Sequence, residues 1–173
     1  MTVDVKKLER ALPVHAYGKD KAKSFRQLLN EIATGETQII WQENRPIRLL
    51  SIVVVKVHCR DKTLVEDRQV FPDGRVRYRG IEGLSEKLHP QEEHSKGVYR
   101  ALQEELGFSA DELQGISIQF LGREWEKKES LSYPGLESHY DTYTYEVHIP
   151  DTLYKPEYTE LCEEGMHSYF TWK

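Results

Sequence analysis

Apolar residues recur along this chain with two periods, and each change of period marks an element. Val5, Leu8, Ala11 and Leu12 fall at helical spacing before Pro13, which predicts a helix over 4–12. Ala22, Phe25, Leu28, Leu29 and Ile32 share one side of a second predicted helix over 19–33, stopped by Thr34-Gly35. A short strand follows at 37–41, and ENRP at 43–46 breaks the chain. Residues 47–59 then give the strongest strand signal. Their core SIVVVKV is almost continuously apolar, as expected of a strand covered on both faces.

In LVEDRQVFPDGRVRYRG, alternating segments flank Pro72-Asp73-Gly74. Proline presets one turn dihedral and glycine supplies a positive φ, so the segment reads as a hairpin. GIEGLSEKLHPQEE reads mostly as loop. Pro90 suits the first turn of a helix running to Leu106, with Gly107 as its cap. Ser109 and Glu112 are spaced as a capping box for a short helix. Strands are predicted at 116–125, 139–148 and 165–172, with a polar loop at 126–137. In the 139–148 strand, Tyr143, Tyr145 and Val147 share one face, and Tyr140, Thr142 and Thr144 the other. Helices followed by strands, a hairpin, a helix and more strands predict an α/β or α+β fold with helices on a mixed sheet.

The GVYRALQEELGF stretch raises the chemical question. At about 100° per residue, Val98, Ala101, Leu102 and Glu105 fall on one side of a helix, while Arg100 and Glu104 lie one turn apart and pair. Glu105 therefore sits at the edge of the apolar stripe, where a carboxylate loses water unless something positive joins it. Two readings stand: a packing helix with a solvated acidic edge, or oxygen ligands for Mg²⁺ or Mn²⁺.

Composition narrows the classes. The chain has 173 residues, enough to bury a core without staples. It is 38% hydrophobic and 31% charged, with a net charge of −5, which makes nucleic acid an unfavoured partner. Two distant cysteines, Cys59 and Cys162, make no disulfide framework and suggest a reduced, cytoplasmic setting. The N-terminal stretch lacks the apolar region of a secretory signal, and the 49–57 run is too short to span a bilayer, so no membrane role is expected. The seven histidines show no zinc-ligand spacing. Trp41, Trp125 and Trp172 could stack on a base, although strand tryptophans are usually core.

Arg100, Leu102, Glu104, Glu105, Leu106 and Gly107 resemble the end of the Nudix box, G-x5-E-x7-R-E-U-x-E-E-x-G-U, where U is bulky and aliphatic. Glu92 falls on its early glutamate, and Lys87 and Pro90 occupy familiar loop places. The resemblance covers roughly residue 47 to the C-terminus. It implies a Nudix-like α/β/α sandwich with a mixed sheet over 45–173, and an N-terminal helical extension over 1–44. It also implies a metal-dependent hydrolase that cleaves a nucleoside diphosphate linked to another moiety. Arg100, Glu104, Glu105 and Glu92 would be its catalytic residues, and Glu104 and Glu105 would bind Mg²⁺ or Mn²⁺. No organic cofactor is implied, the partner would be a nucleotide-type small molecule, and homodimers are frequent in such families.

The chain departs from the box at four places. Glu86 stands at the first glycine, Gln91 at the glycine before the early glutamate, and Phe108 at the last aliphatic position. Ala101 stands where the family has a glutamate that binds metal or activates water. In some members the base comes from other loops, and Glu124, Glu126, Glu137 and Asp141 are candidates here. The loop SYPGLESHY, 132–140, could carry specificity or be a solvated crossover. The alternative reading is an inactive Nudix-fold protein that binds a nucleotide or a protein partner.

Overall fold

The structure, a computed structural model, describes residues 3–162 and 165–173; residues 1, 2, 163 and 164 lie outside the description. It has the expected α+β arrangement of a mixed sheet with helices. In chain order the elements are α1 (Val5–Ala11), α2 (Phe25–Thr34), β1 (Gln38–Gln42), β2 (Arg45–Cys59), β3 (Lys62–Val70), β4 (Val76–Arg77), β5 (Ile81–Glu82) and β6 (Leu84–Lys87). Then come α3 (His94–Leu106), α4 (Ala110–Gln114), β7 (Ile118–Glu129), β8 (Glu137–His148), β9 (Glu157–Leu161) and β10 (His167–Trp172). Two compact units share these elements, with β2, β6, β7 and β8 contributing to both.

The first unit comprises Met1–Ser51, Lys87–Gln91 and Glu124–Thr142. Asp4 caps α1 by accepting from the Lys7 backbone N–H. The second helix starts later than residue 19, because Ser24 and Gln27 form a reciprocal capping box that fixes its first turn at Phe25. Glu43 and Asn44 both take positive φ, giving a two-residue turn between β1 and β2 with Gln42 opposite Arg45. Leu8, Leu12, Tyr17, Leu28, Tyr133 and Leu136 form a buried cluster. The loop expected over 126–137 is shorter, because β7 continues to Glu129. It is also less solvated than a surface crossover. Tyr133 and Leu136 are fully buried, and the Tyr133 backbone N–H bonds Ser130 Oγ at 3.0 Å.

The second unit comprises Ile52–Glu86, Glu92–Arg123 and Tyr143–Lys173. Its strands run in the order β7-β8-β2-β3-β10-β9, with β4 and β5 on β3 and β6 on β2. The Pro-Asp-Gly hairpin is present, with Val70 opposite Val76 and Gln69 opposite Arg77. In β2, Val53, Val55 and Val57 are fully buried while Ile52, Val54 and Lys56 are only half-buried. The run is thus less evenly covered than its composition predicts. In β8 the expected face of Tyr143, Tyr145 and Val147 is buried at Tyr145 and Val147, with Tyr143 half-buried.

Helix α3 begins at His94 rather than near Pro90. Gln91 takes a left-handed conformation, φ 63°, which no α-helical turn tolerates, so the residues before Glu93 stay in a loop. The helix ends at Leu106 with Gly107 left-handed, as expected. It packs on β9, a strand not anticipated from sequence, and on α4. Phe108 meets Tyr158 of β9 edge-on at 6.2 Å. Ser109 and Glu112 form the predicted capping box. Among the described residues, no helix is long and apolar enough to cross a membrane. Both cysteines are free thiols.

Candidate metal centre

Three elements of the second unit bring carboxylates together. Strand β6 carries Glu86, α3 carries Glu104 and Glu105, and β9 carries Glu160. The path into β6 is fixed by Gly83. A Cβ there would lie 2.1 Å from the Val55 carbonyl oxygen at a φ of +83°, so only glycine fits. Its N–H bonds the Leu64 carbonyl at 2.7 Å, and three residues later Glu86 reaches α3.

The helix buries Gly97, Val98, Ala101, Leu102, Glu105 and Leu106. This is the face that helical spacing predicts, and it takes Glu105 inside. Glu105 is 6% exposed, and its Oε2 has no hydrogen-bond partner among the described residues. One carboxylate oxygen from each of Glu86, Glu105 and Glu160 lies within 4.8 Å of the others. Such proximity of acids is costly unless a proton or a cation joins them.

The electrostatics follow from this crowding. Burial raises the Glu105 pKa well above the usual carboxylate range, and the charges of Glu86 and Glu160 raise it further. Burial also raises Glu86, against the partial relief of a proton shared with Glu105 and of Arg100. Glu160 is pushed up to about 7, first by burial and then by Glu86 and Glu104, although the Cys162 thiol donates to its Oε1 at 2.8 Å. In return Cys162 is pushed up to about 12 by burial and by Glu160.

Arg100 is the organising cation. Its Nε and Nη2 bond the two oxygens of Glu92, and its Nη1 lies 3.2 Å from Glu104 Oε2 and 3.3 Å from Glu86 Oε1. Burial would lower its pKa, but the hydrogen bonds and charges of Glu92, Glu86 and Glu104 hold it above the ordinary value.

The sequence-predicted residues therefore occupy different places. Arg100 joins Glu92 and Glu104 as a set, with the Glu104 side chain half exposed at 50%. Glu105 points inward to join Glu86 and Glu160, neither of which the sequence reading chose as a ligand. Glu86 appeared there only as a departure from the box. Nothing in EYTEL marked Glu160, because a short strand with little apolar alternation gives no local signal. The proposed replacement bases Glu124, Glu126, Glu137 and Asp141 belong to the first unit. There Glu137 bonds His139 at 3.1 Å, and Asp141 is buried. Trp125 is 70% exposed, unlike an ordinary core tryptophan, whereas Trp172 stacks on Tyr154.

The donors fit one class of metal. Carboxylate oxygens suit hard cations such as Mg²⁺ and Mn²⁺ far better than soft ones. A cation would also satisfy Glu105 Oε2, which nothing else among the described residues reaches.

No family model and no curated protein matches this chain. Solved structures overlap it in part. The protein DR0079 from Deinococcus radiodurans is 14% identical with a TM-score of 0.43, covering 71% of this chain and 65% of its own. An Ap4A hydrolase from C. elegans is 11% identical with a TM-score of 0.41, covering 71% of this chain and 78% of its own. The E. coli ORF135 protein is 19% identical with a TM-score of 0.36, covering 73% and 74% respectively.

Proposed function

We propose that this chain is a Nudix-type hydrolase that cleaves a nucleoside diphosphate linked to another moiety, using Mg²⁺ or Mn²⁺. The observation that carries the reading is Glu105, a buried carboxylate on the box helix with an oxygen that meets no donor. A helix built only for packing would place an apolar residue there. Glu105 is the principal ligand in this reading, with Glu86 and Glu160 beside it and Glu104 at the exposed rim. When bound, the metal would neutralise phosphate charge and lower the pKa of water.

The protein side chains have separate tasks. Arg100 fixes the orientation of Glu92 and Glu104 through a rigid fork, so the carboxylates need little reordering when substrate arrives. Ala101 carries no proton-accepting group, so a carboxylate outside that position must take the proton from water.

The test is release of phosphate or nucleotide from a panel of nucleoside diphosphate derivatives with Mg²⁺ or Mn²⁺. It is run beside the Glu104→Gln/Glu105→Gln protein. Turnover that disappears in the variant supports the reading. Absence of turnover in both proteins across a broad panel contradicts it and leaves a binding role.

A further inference from the structure

The chain lacks a carboxylate at one box position and has an extra one at another. Ala101 is fully buried on the inner face of α3, one helical turn before Glu105, and offers nothing to a cation. Glu86 stands where the box resemblance places a glycine. These two departures lie fifteen positions apart in sequence, but the fold returns them to one place. From β6, Glu86 comes within 3.3 Å of Arg100, the residue next to Ala101, and within ligand range of Glu105.

Packing alone does not account for Glu86. Its side chain is largely sequestered, at 17% exposure, beside two further carboxylates. A neutral side chain there would avoid the repulsion. Arg100 compensates part of this charge, but it also serves Glu92 and Glu104. Independently, Glu105 Oε2 is buried in the same group without a donor.

We infer that Glu86 supplies from the strand the carboxylate that position 101 lacks on the helix, and that it ligates the same divalent cation as Glu105, with Glu160 as a third ligand. The inference rests on the metal-dependent reading above. It adds that the two sequence departures form a compensating pair, so the site is rearranged rather than lost.

The test is Mn²⁺ binding to the full chain, read from the free-ion electron paramagnetic resonance signal, with thermal melting to check folding. Glu86→Gln is expected to weaken Mn²⁺ by about tenfold or more, as loss of a charged ligand does. Glu86→Asp should retain more affinity than Glu86→Gln. The exchange Glu86→Gly/Ala101→Glu, which moves the carboxylate back to the helix, should recover most of it. Glu82→Gln, on exposed β5, should bind like the parent. Parent-like binding by folded Glu86→Gln, together with loss in Glu105→Gln, would overturn the inference while leaving the metal reading intact. Absence of Mn²⁺ binding by the parent would overturn both.

Discussion

Arg100 holds Glu92 by two parallel hydrogen bonds, Nε to Oε2 at 2.8 Å and Nη2 to Oε1 at 2.9 Å. The pair ties the loop before α3 to the middle of the helix. The remaining fork reaches Glu104 and Glu86, so one guanidinium orders carboxylates from a strand, a loop and a helix. Lysine keeps the charge but cannot form that fork. Arg100→Lys is therefore expected to cost about 1–3 kcal/mol of stability and to lower turnover by about tenfold or more. Urea unfolding and initial rates on the same preparation check both. Unchanged rates with unchanged stability would remove Arg100 from the organising role.

In the proposed site, metal binding at Glu105 is set against stability. Without metal, its buried charge is a burden shared with Glu86 and Glu160. Glu105→Gln should stabilise the metal-free protein at alkaline pH by about 1–3 kcal/mol, because it removes like-charge repulsion in a desolvated place. The same variant should lose the rise in Tm that Mg²⁺ or Mn²⁺ gives the parent. Destabilisation in EDTA would show that Glu105 is a satisfied structural acid.

The cluster also sets a pH dependence. The folded pKa of Glu160 is about 7, above its ordinary value of 4.5, and Glu86 and Glu105 are raised too. The folded state then holds more protons than the unfolded state in this window. The stability this contributes is complete below about pH 4.5 and is lost as pH rises through about 7. In EDTA, Tm should fall by about 3–6 °C between roughly pH 5 and 8, and divalent metal should offset the fall at the upper end. A flat or rising metal-free profile would contradict the assigned crowding.

The first unit makes an opposite prediction. Glu31 lies 2.7 Å from Lys87, 3.2 Å from Arg48 and 3.6 Å from Lys23, and accepts from the Tyr133 hydroxyl. Burial alone would raise its pKa, but the three cations hold it below the usual range. Its contribution is therefore present above about pH 4.5 and lost as pH falls towards the depressed folded value. Glu31→Ala should cost about 3–5 kcal/mol at neutral pH, since it leaves buried Arg48 without its carboxylate. Denaturant melts check this, and a loss under about 1 kcal/mol would mean that the cations find other compensation.

Much of this was legible locally. The extent of α3 at its C-terminal end, the Pro-Asp-Gly hairpin and the Ser109 capping box follow from short-range rules. Glu105 shows this best, because helical spacing alone put it on the apolar face. The helix starts were less legible, since the left-handed Gln91 and the Ser24 capping box override the apolar pattern. The partners of Glu105 were not legible at all. Glu86 reaches the helix through a glycine-dependent backbone approach, and Glu160 arrives on β9, which is held by its neighbour β10, itself paired with the distant β3. Similarly, nothing in SYPGLE announces that Tyr133 reaches Glu31 from a loop.

In the proposed site, Glu86, Glu105 and Glu160 together hold a divalent cation. The most direct measurement is anomalous diffraction from a crystal of the full chain soaked in Mn²⁺. A peak is expected among Glu86, Glu105 and Glu160, within about 2.0–2.4 Å of a Glu105 oxygen. Crystals with Mn²⁺ bound elsewhere and none at Glu105 would contradict it.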